Sequence, residues 1–400
     1  MTNKEKYKKA FDVLASSEQI SLEVENMANK KRKKSFMAIT VAAVIVFGTL
    51  TVGAAAYYNW SNGLSKELRI DEEKQKMLED TGMAAFSEVS CTDAGVTVTA
   101  QQSITDNYYT YLSFKFEGYE LEEGKEPSIE NVSVTVDGSN EFSWGGSFYG
   151  GLICGPDGRA VYADGSPIDY DQPILGHYER DDGSLEYHMV LENSGEKGSF
   201  VGKPIHVEFK NLGTAGKAEH FPVLDGTWVL DWTLGGTDTA KVYEMNESLG
   251  DTGATVKEIE ISPVSCHITY EFPRTEITKE FTLADGTTET STEYKEAPWP
   301  QGVKLKDGTL LTMLYGGPGT SGFVDDTTNT YVASYAFNQV IDVNEIESVL
   351  FTKDTINVGE IPTEDNQSNF GSGFGYQYGA DDTIEIYMNE KWFVFEYREE

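Results

Sequence analysis

The sequence predicts a mainly β protein: two tandem β-sandwiches outside a membrane, joined by one transmembrane helix to a short helical cytoplasmic head. Three observations predict it. Phe36 to Tyr58 contains no charged residue, the chain's charge separates across that stretch, and from about Phe86 the apolar pattern takes a period of two.

A bilayer core of about 30 Å needs roughly 20 apolar residues at the helical rise, which Phe36 to Tyr58 supplies. Lys30, Lys31, Arg32, Lys33 and Lys34 stand immediately before it, suited to anionic headgroups, and Tyr57, Tyr58 and Trp60 follow as an interfacial aromatic cluster. The basic side is expected to stay cytoplasmic. Ala54 and Ala56 form the A-x-A pattern of a cleaved signal, but the basic run begins about 30 residues in and the apolar run exceeds the roughly 7 to 15 residues of a signal core.

Nine of the 31 basic and five of the 66 acidic residues precede Ser35, leaving 22 and 61 beyond it: net charges of +4 and −39. So acidic an outer body excludes nucleic acid and anionic lipid as its partners, since phosphate binding needs a basic surface. A solvated surface accounts for the charge without a specific acidic site. The length beyond the span exceeds what one core organises, so two domains are expected. Of the three cysteines, Cys91 and Cys154 are the pair a bridge would use, and Cys266 in VSCHITY reads as a buried small residue.

Residues 1–35 form the expected head. Tyr7, Phe11 and Leu14, with Ala10, follow the spacing of one helical face; Ile20, Val24 and Met27 follow it in a second helix capped by Ser16 or Ser21. Neither helix can bury that face alone, so it needs a partner protein or the inner membrane surface, unless the head is only a topogenic tail. Residues 36–58 are the span. Residues 59–85 are a juxtamembrane stalk, with SKELRIDEEKQKML helical, Gly82 as its stop, and packing against the first domain expected.

Residues 86–236 are the first sandwich: GVTVTA, YYTYLSFKF, NVSVTV, EYHMVL and HVEFKNL read as strands. TWVLDWTL puts Trp228, Leu230, Trp232 and Leu234 on one face of a half-buried strand. Gly145 to Gly183, rich in Gly and Asp, reads as an inserted set of hairpins and loops. Residues 237–400 are the second sandwich, from TAKVYEM or ATVKEIEI through CHITYEF, TYVASYAF and SVLF to WFVFEY, with tight turns at Asp285-Gly286 and Asp307-Gly308.

Little of this chain carries chemistry. His177, His188, His206, His220 and His267 are scattered without ligand spacing and read as structural. GFGYQYG misses the dinucleotide spacing, and Ser147 and Ser321 do not fit G-x-S-x-G. Asp325, Asp326 and Asn329, or Asp169 with Asp171, are the least implausible calcium ligands, without a complete loop pattern. Trp144, Phe148 and Tyr149 in WGGSFYG could stack on wall sugars, though core roles are commoner. No cofactor and no enzymatic activity are expected.

The order of these parts resembles the membrane anti-sigma-factor-like proteins of Gram-positive bacteria, whose outer half is a domain of unknown function with tandem immunoglobulin-like folds. Phe11-Asp12-Val13-Leu14, Ile20-Ser21-Leu22-Glu23-Val24, the basic run, GVTVTA then YYTYLSFKF, Gly226-Thr227-Trp228, Ile261-Ser262-Pro263 and Asp307-Gly308-Thr309 carry the likeness. It implies a head that holds an extracytoplasmic-function sigma factor and outer domains that sense an envelope ligand, with a protease acting near the span. The head lacks His and Cys, so a zinc-type motif is absent and occlusion would rely on its apolar faces. The alternative is a membrane-anchored envelope-binding or adhesion module.

Overall fold

A computed structural model describes residues 60–352 apart from 155–159, 170–173, 175, 194–197, 199, 217–218, 238, 251, 283–287, 313 and 315–318, with strand backbone at Gln19–Glu23, Tyr376–Tyr378, Thr383–Met388 and Lys391–Glu396. In chain order the elements are β1 (Gln19–Glu23), α1 (Asn62–Glu67), α2 (Glu72–Asp80), β2 (Ala84–Asp93), β3 (Val96–Thr105), β4 (Tyr109–Glu117), β5 (Glu126–Val136), β6 (Ser143–Phe148), β7 (Leu152–Cys154) and β8 (Ala160–Tyr162). Then come β9 (Leu185–Glu192), β10 (Pro204–Gly216), β11 (Glu219–Thr233), β12 (Lys241–Ser248), β13 (Thr255–Ile261), β14 (Ser265–Glu271), β15 (Glu276–Thr282) and β16 (Thr288–Tyr294). The last are β17 (Pro300–Leu305), β18 (Leu310–Thr312), β19 (Gly319–Phe323), β20 (Thr330–Ala336), β21 (Ile346–Thr352), β22 (Tyr376–Tyr378), β23 (Thr383–Met388) and β24 (Lys391–Glu396).

The protein is mainly β, and its sheets are antiparallel. Sheet β2-β3-β4-β9-β6 and sheet β11-β10-β5 share an N-terminal core holding Phe114, Phe116, Val207, Phe209 and Trp228. Alternation drives this packing: on β11, Trp228 and Leu230 are fully buried while Val229 and Asp231 face outward, as TWVLDWTL predicts. Trp228 Nε1 reaches Val96 O at 2.9 Å, so the buried indole keeps its hydrogen bond. Sheets β12-β13-β14-β20-β19 and β1-β21-β17-β18 share a C-terminal core around Ile259, Ile268, Tyr270, Val349 and Phe351. The turn at Asp307-Gly308 joins β17 to β18, and Gly308, at φ +90°, adopts a conformation that L side chains rarely take.

A third apolar cluster lies between the two cores. Leu64, Leu68 and Leu78 of the helical segment meet Ile104, Tyr109 and Tyr111 from the first and Val264, Ala336 and Val340 from the second. Each of those leucines is at most 2 % exposed, and burying such a side chain stabilises by roughly 1.5–3 kcal/mol.

Several expectations are corrected. The stalk is two short helices instead of one: Asp71, in extended backbone, accepts from Lys74 N at 2.9 Å and starts α2 afresh, while Arg69 turns the chain at φ 51°. It packs against both cores, not the first alone, because Leu68 O accepts from Val340 N at 2.8 Å. Ser143–Phe148, read partly as the start of loops, is a strand on the edge of β9. Of the cysteines, Cys91 is a free thiol, so the bridge considered for it is not formed, and Cys266 is buried as expected.

Gln19–Glu23, read as part of a head helix, is a strand paired antiparallel with β21, Ile20 opposite Phe351. Ile20, Leu22 and Val24 alternate as readily as they fit a helix, and an open strand edge decides between the two patterns. A strand bonded to β21 shares a compartment with that sheet, so this pairing and an inserted Phe36 to Tyr58 exclude one another within one molecule. Among the described residues no helix is long and apolar enough to cross a membrane, and Phe36 to Tyr58 lies outside them.

Candidate functional site

The first described residues after the stretch expected to span the membrane are fastened to β9. Ser61 caps α1 by accepting from Leu64 N at 3.0 Å, and its hydroxyl donates to Glu186. The Glu186 carboxylate also accepts from Gly63 N at 2.9 Å and Ser113 Oγ at 3.0 Å, taking up donors that the start of a helix leaves without partners. A side chain on Gly63 is excluded, since a Cβ would lie 2.6 Å from Tyr149 Cδ1 and 2.7 Å from a Glu186 oxygen.

His188, two residues along the same face of β9, closes the arrangement. Its Nε2 lies 3.0 Å from Glu186 Oε1 and its Nδ1 meets Glu67, the last residue of α1. Carboxylates on both ring nitrogens require both to be donors, so the ring is an imidazolium. Burial opposes that charge, but hydrogen bonds and charge from Glu186 and Glu67 outweigh it and raise the His188 pKa to about 9. Burial likewise raises Glu186, but the hydrogen bond and charge of His188, with donation from Ser61 and Gly63, hold its pKa down at about 2. Both ends of α1 are thus held by one strand.

Trp60, just before α1, donates from Nε1 to Glu79 at 2.6 Å and packs edge-on against Phe86 at 5.6 Å. A cleft of about 380 Å³ opens beside this latch, with Trp60, Asn62 and Lys66 on one side and Lys115, Tyr149 and Arg180 among the residues opposite.

The second element of the site is the tip between β3 and β4, inserted between the cores. Asp106 is fully buried and accepts from Tyr108 N and Tyr109 N at 2.8 Å, from Ser265 Oγ at 2.5 Å and from Ser262 Oγ. Burial raises its pKa against those hydrogen bonds. Asn107 Nδ2 reaches Glu260 at 2.6 Å, the Tyr108 ring stacks on His267 at 4.3 Å, and Tyr111 OH donates to Phe337 O at 3.0 Å. One turn of the first unit therefore supplies the polar contacts to the second.

Of the residues singled out in the sequence, Tyr7, Phe11, Leu14, Val24, Met27, Lys30, Lys31, Arg32, Lys33 and Lys34 lie outside the described residues, and Ile20 lies in β1. Asp325, the calcium candidate, spends its oxygens capping a turn: it accepts from Thr327 N at 2.6 Å and Thr328 N at 2.9 Å, which with the threonine hydroxyls lowers its pKa to about 2. Asp326 instead faces Arg274 at 3.7 Å. Trp144 is 39 % exposed on β6, whereas Phe148 and Tyr149 are buried. The Glu186–His188 pair escaped the sequence reading; its one signal was two ionisable residues at i, i+2 in the apolar strand EYHMVL.

No family model and no curated protein matches the chain. Among solved structures, it is similar to a conserved domain protein from Bacillus anthracis at 12 % identity and a TM-score of 0.38, over 80 % of this chain and 91 % of that one.

Proposed function

We propose that this chain is a single-pass membrane regulatory protein similar to anti-sigma factors. Its head, residues 1–35, binds an extracytoplasmic-function sigma factor through Tyr7, Phe11, Leu14, Ile20, Val24 and Met27, with Lys30 to Lys34 on the inner membrane surface; in that state Gln19–Glu23 is not paired with β21. Its outer parts, residues 86–236 and 237–400, are tandem immunoglobulin-like sandwiches that sense the envelope. One observation supports the regulatory part most. The segment that follows the span is not a free linker: Leu64, Leu68 and Leu78 are buried among residues of both cores, so displacing either unit displaces the residues next to the membrane.

The test is a crosslinked pull-down of full-length protein from its native membrane beside a copy lacking residues 1–29. A sigma factor recovered with the first and lost with the second supports the reading; equal recovery of envelope proteins and no transcription factor overturns it.

A second reading, an exported envelope-binding module without a transcriptional role, is favoured by the pairing of Gln19–Glu23 with β21, which keeps the head beside the outer sheet. It predicts that Phe11→Asp leaves every partner of the protein bound.

A further inference from the structure

We propose that the cleft between α1 and the loops around Tyr149 and Arg180 is a binding site for a neutral polyhydroxylated ligand, a short oligosaccharide. At about 380 Å³ it falls within the size of small-molecule sites, which run from roughly 300 to 1,000 Å³.

The lining selects the ligand by elimination. Lys66, Lys115 and Arg180 share the cleft with Asp164, Glu179, Asp181, Asp182 and Glu186, of which Glu186 is paired with His188, Asp182 with Lys115 and Asp164 with His177, so charges of both signs line it and neither a strongly anionic nor a strongly cationic ligand is favoured. So polar a wall also disfavours a hydrocarbon. What remains is a neutral molecule with many donors and acceptors, and an apolar face for an aromatic ring.

The groups that would meet it are already fixed. The Arg180 guanidinium lies 4.7 Å over the Tyr149 ring and donates from one terminal nitrogen to Tyr149 O at 2.5 Å, which holds its planar fork in place. Its Nε and the hydroxyl of Tyr149, a residue only 5 % exposed, are buried without hydrogen-bond partners. Buried polar groups are paired in most folded proteins, so two unpaired groups in one cleft wall point to a partner that brings hydroxyls. Trp60, locked by Glu79 and Phe86, offers an aromatic surface at the rim. Glu186 already accepts from Ser61, Gly63, Ser113 and His188, so its carboxylate is committed to the latch and not to a ligand.

Because α1 forms one wall and the β-unit the others, a bound sugar bridges the latch and holds it closed. That consequence for signalling rests on the function proposed above; binding itself does not.

The experiment titrates chitobiose and cellobiose into the full-length protein in nanodiscs and follows binding by calorimetry. Saturable binding of at least one is expected, weakened at least fivefold by Tyr149→Phe, which keeps the stacked ring, and by Trp60→Phe, while Trp144→Ala on exposed β6 changes nothing. Melting curves verify that each variant is folded. Absence of binding by either sugar, equal binding by all variants, or tighter binding of a charged chitosan or galacturonate dimer overturns the proposal. Sugar binding alongside a head that captures no sigma factor would overturn the proposed function and leave this site standing.

Discussion

Glu67 ends α1 against Nδ1 of His188, a ring 121 residues further along the chain. Removing the ring leaves Glu186 a buried carboxylate without its cation, and breaking such a pair costs on the order of 3–5 kcal/mol. His188→Ala is therefore expected to lower the melting temperature and to expose the segment between Leu68 and Asp71 to proteolysis. Glu67→Gln, at the more exposed end, should do the same more weakly. A protease time course on the purified full-length protein reads both, and an unchanged cleavage pattern in His188→Ala would show that the latch does not hold α1.

The latch also fixes a pH dependence. The His188 pKa is raised from 6.5 to about 9, so its contribution is full below about pH 6.5 and is lost as pH rises through 9; the full shift corresponds to on the order of 3 kcal/mol. Glu186, lowered from 4.5 to about 2, contributes fully above about pH 4.5 and loses that as pH falls through 2. Stability of the α1 attachment should thus be greatest between about pH 4.5 and 6.5 and decline toward pH 9. Hydrogen exchange of the α1 amides across that range measures it, and His188→Ala should flatten the alkaline limb.

Asp106 predicts a separate effect at the junction between the cores. Asp106→Ala leaves Tyr108 N and Tyr109 N buried without acceptors, at about 1–3 kcal/mol for each unsatisfied group. Asp106→Asn keeps an acceptor for those amides and, being neutral, escapes the burial that raises the carboxyl pKa, so it should cost much less. Denaturant unfolding compares the two, and equal losses would show that charge, not acceptance, is what the junction needs.

Much of the fold was legible because a strand's pattern is local. TWVLDWTL, NVSVTV and CHITYEF each carry their own alternation, and the burial of Trp228, Leu230, Cys266 and Ile268 follows from it. The stalk was legible as helical, but its break was not, since Asp71 can be read equally as a cap or as one more acidic helix residue. The latch was illegible for a different reason. Glu186 and His188 acquire meaning only when Ser61, Gly63 and Glu67 arrive, and no spacing along the chain encodes that meeting. Nor could a five-residue alternation at Gln19–Glu23 say whether a helix partner or the edge of β21 would claim it.

The β1 pairing gives the topology its own test. Gln19→Cys with Thr352→Cys, opposed across β1 and β21, should crosslink in chain kept out of membranes and fail to crosslink in protein inserted with its head in the cytoplasm. Gel mobility under mild oxidation, with Cys91 and Cys154 replaced by Ser, separates the outcomes. A crosslink formed efficiently in the native membrane would mean that Phe36 to Tyr58 does not divide the head from the outer sheets.

The turn at Asp106 to Tyr111 bears on how a stimulus at the far end of the protein travels. Ser262, Ser265, Glu260 and Phe337 all bond to these few residues, whose strands continue as β3 and β4 to Gln102 and Ser113, beside Ser61 and Glu186. A displacement of the second unit is therefore handed to α1 through hydrogen-bonded strands, from the turn at Asp106 to Ser61 and Gly63 at the start of that helix.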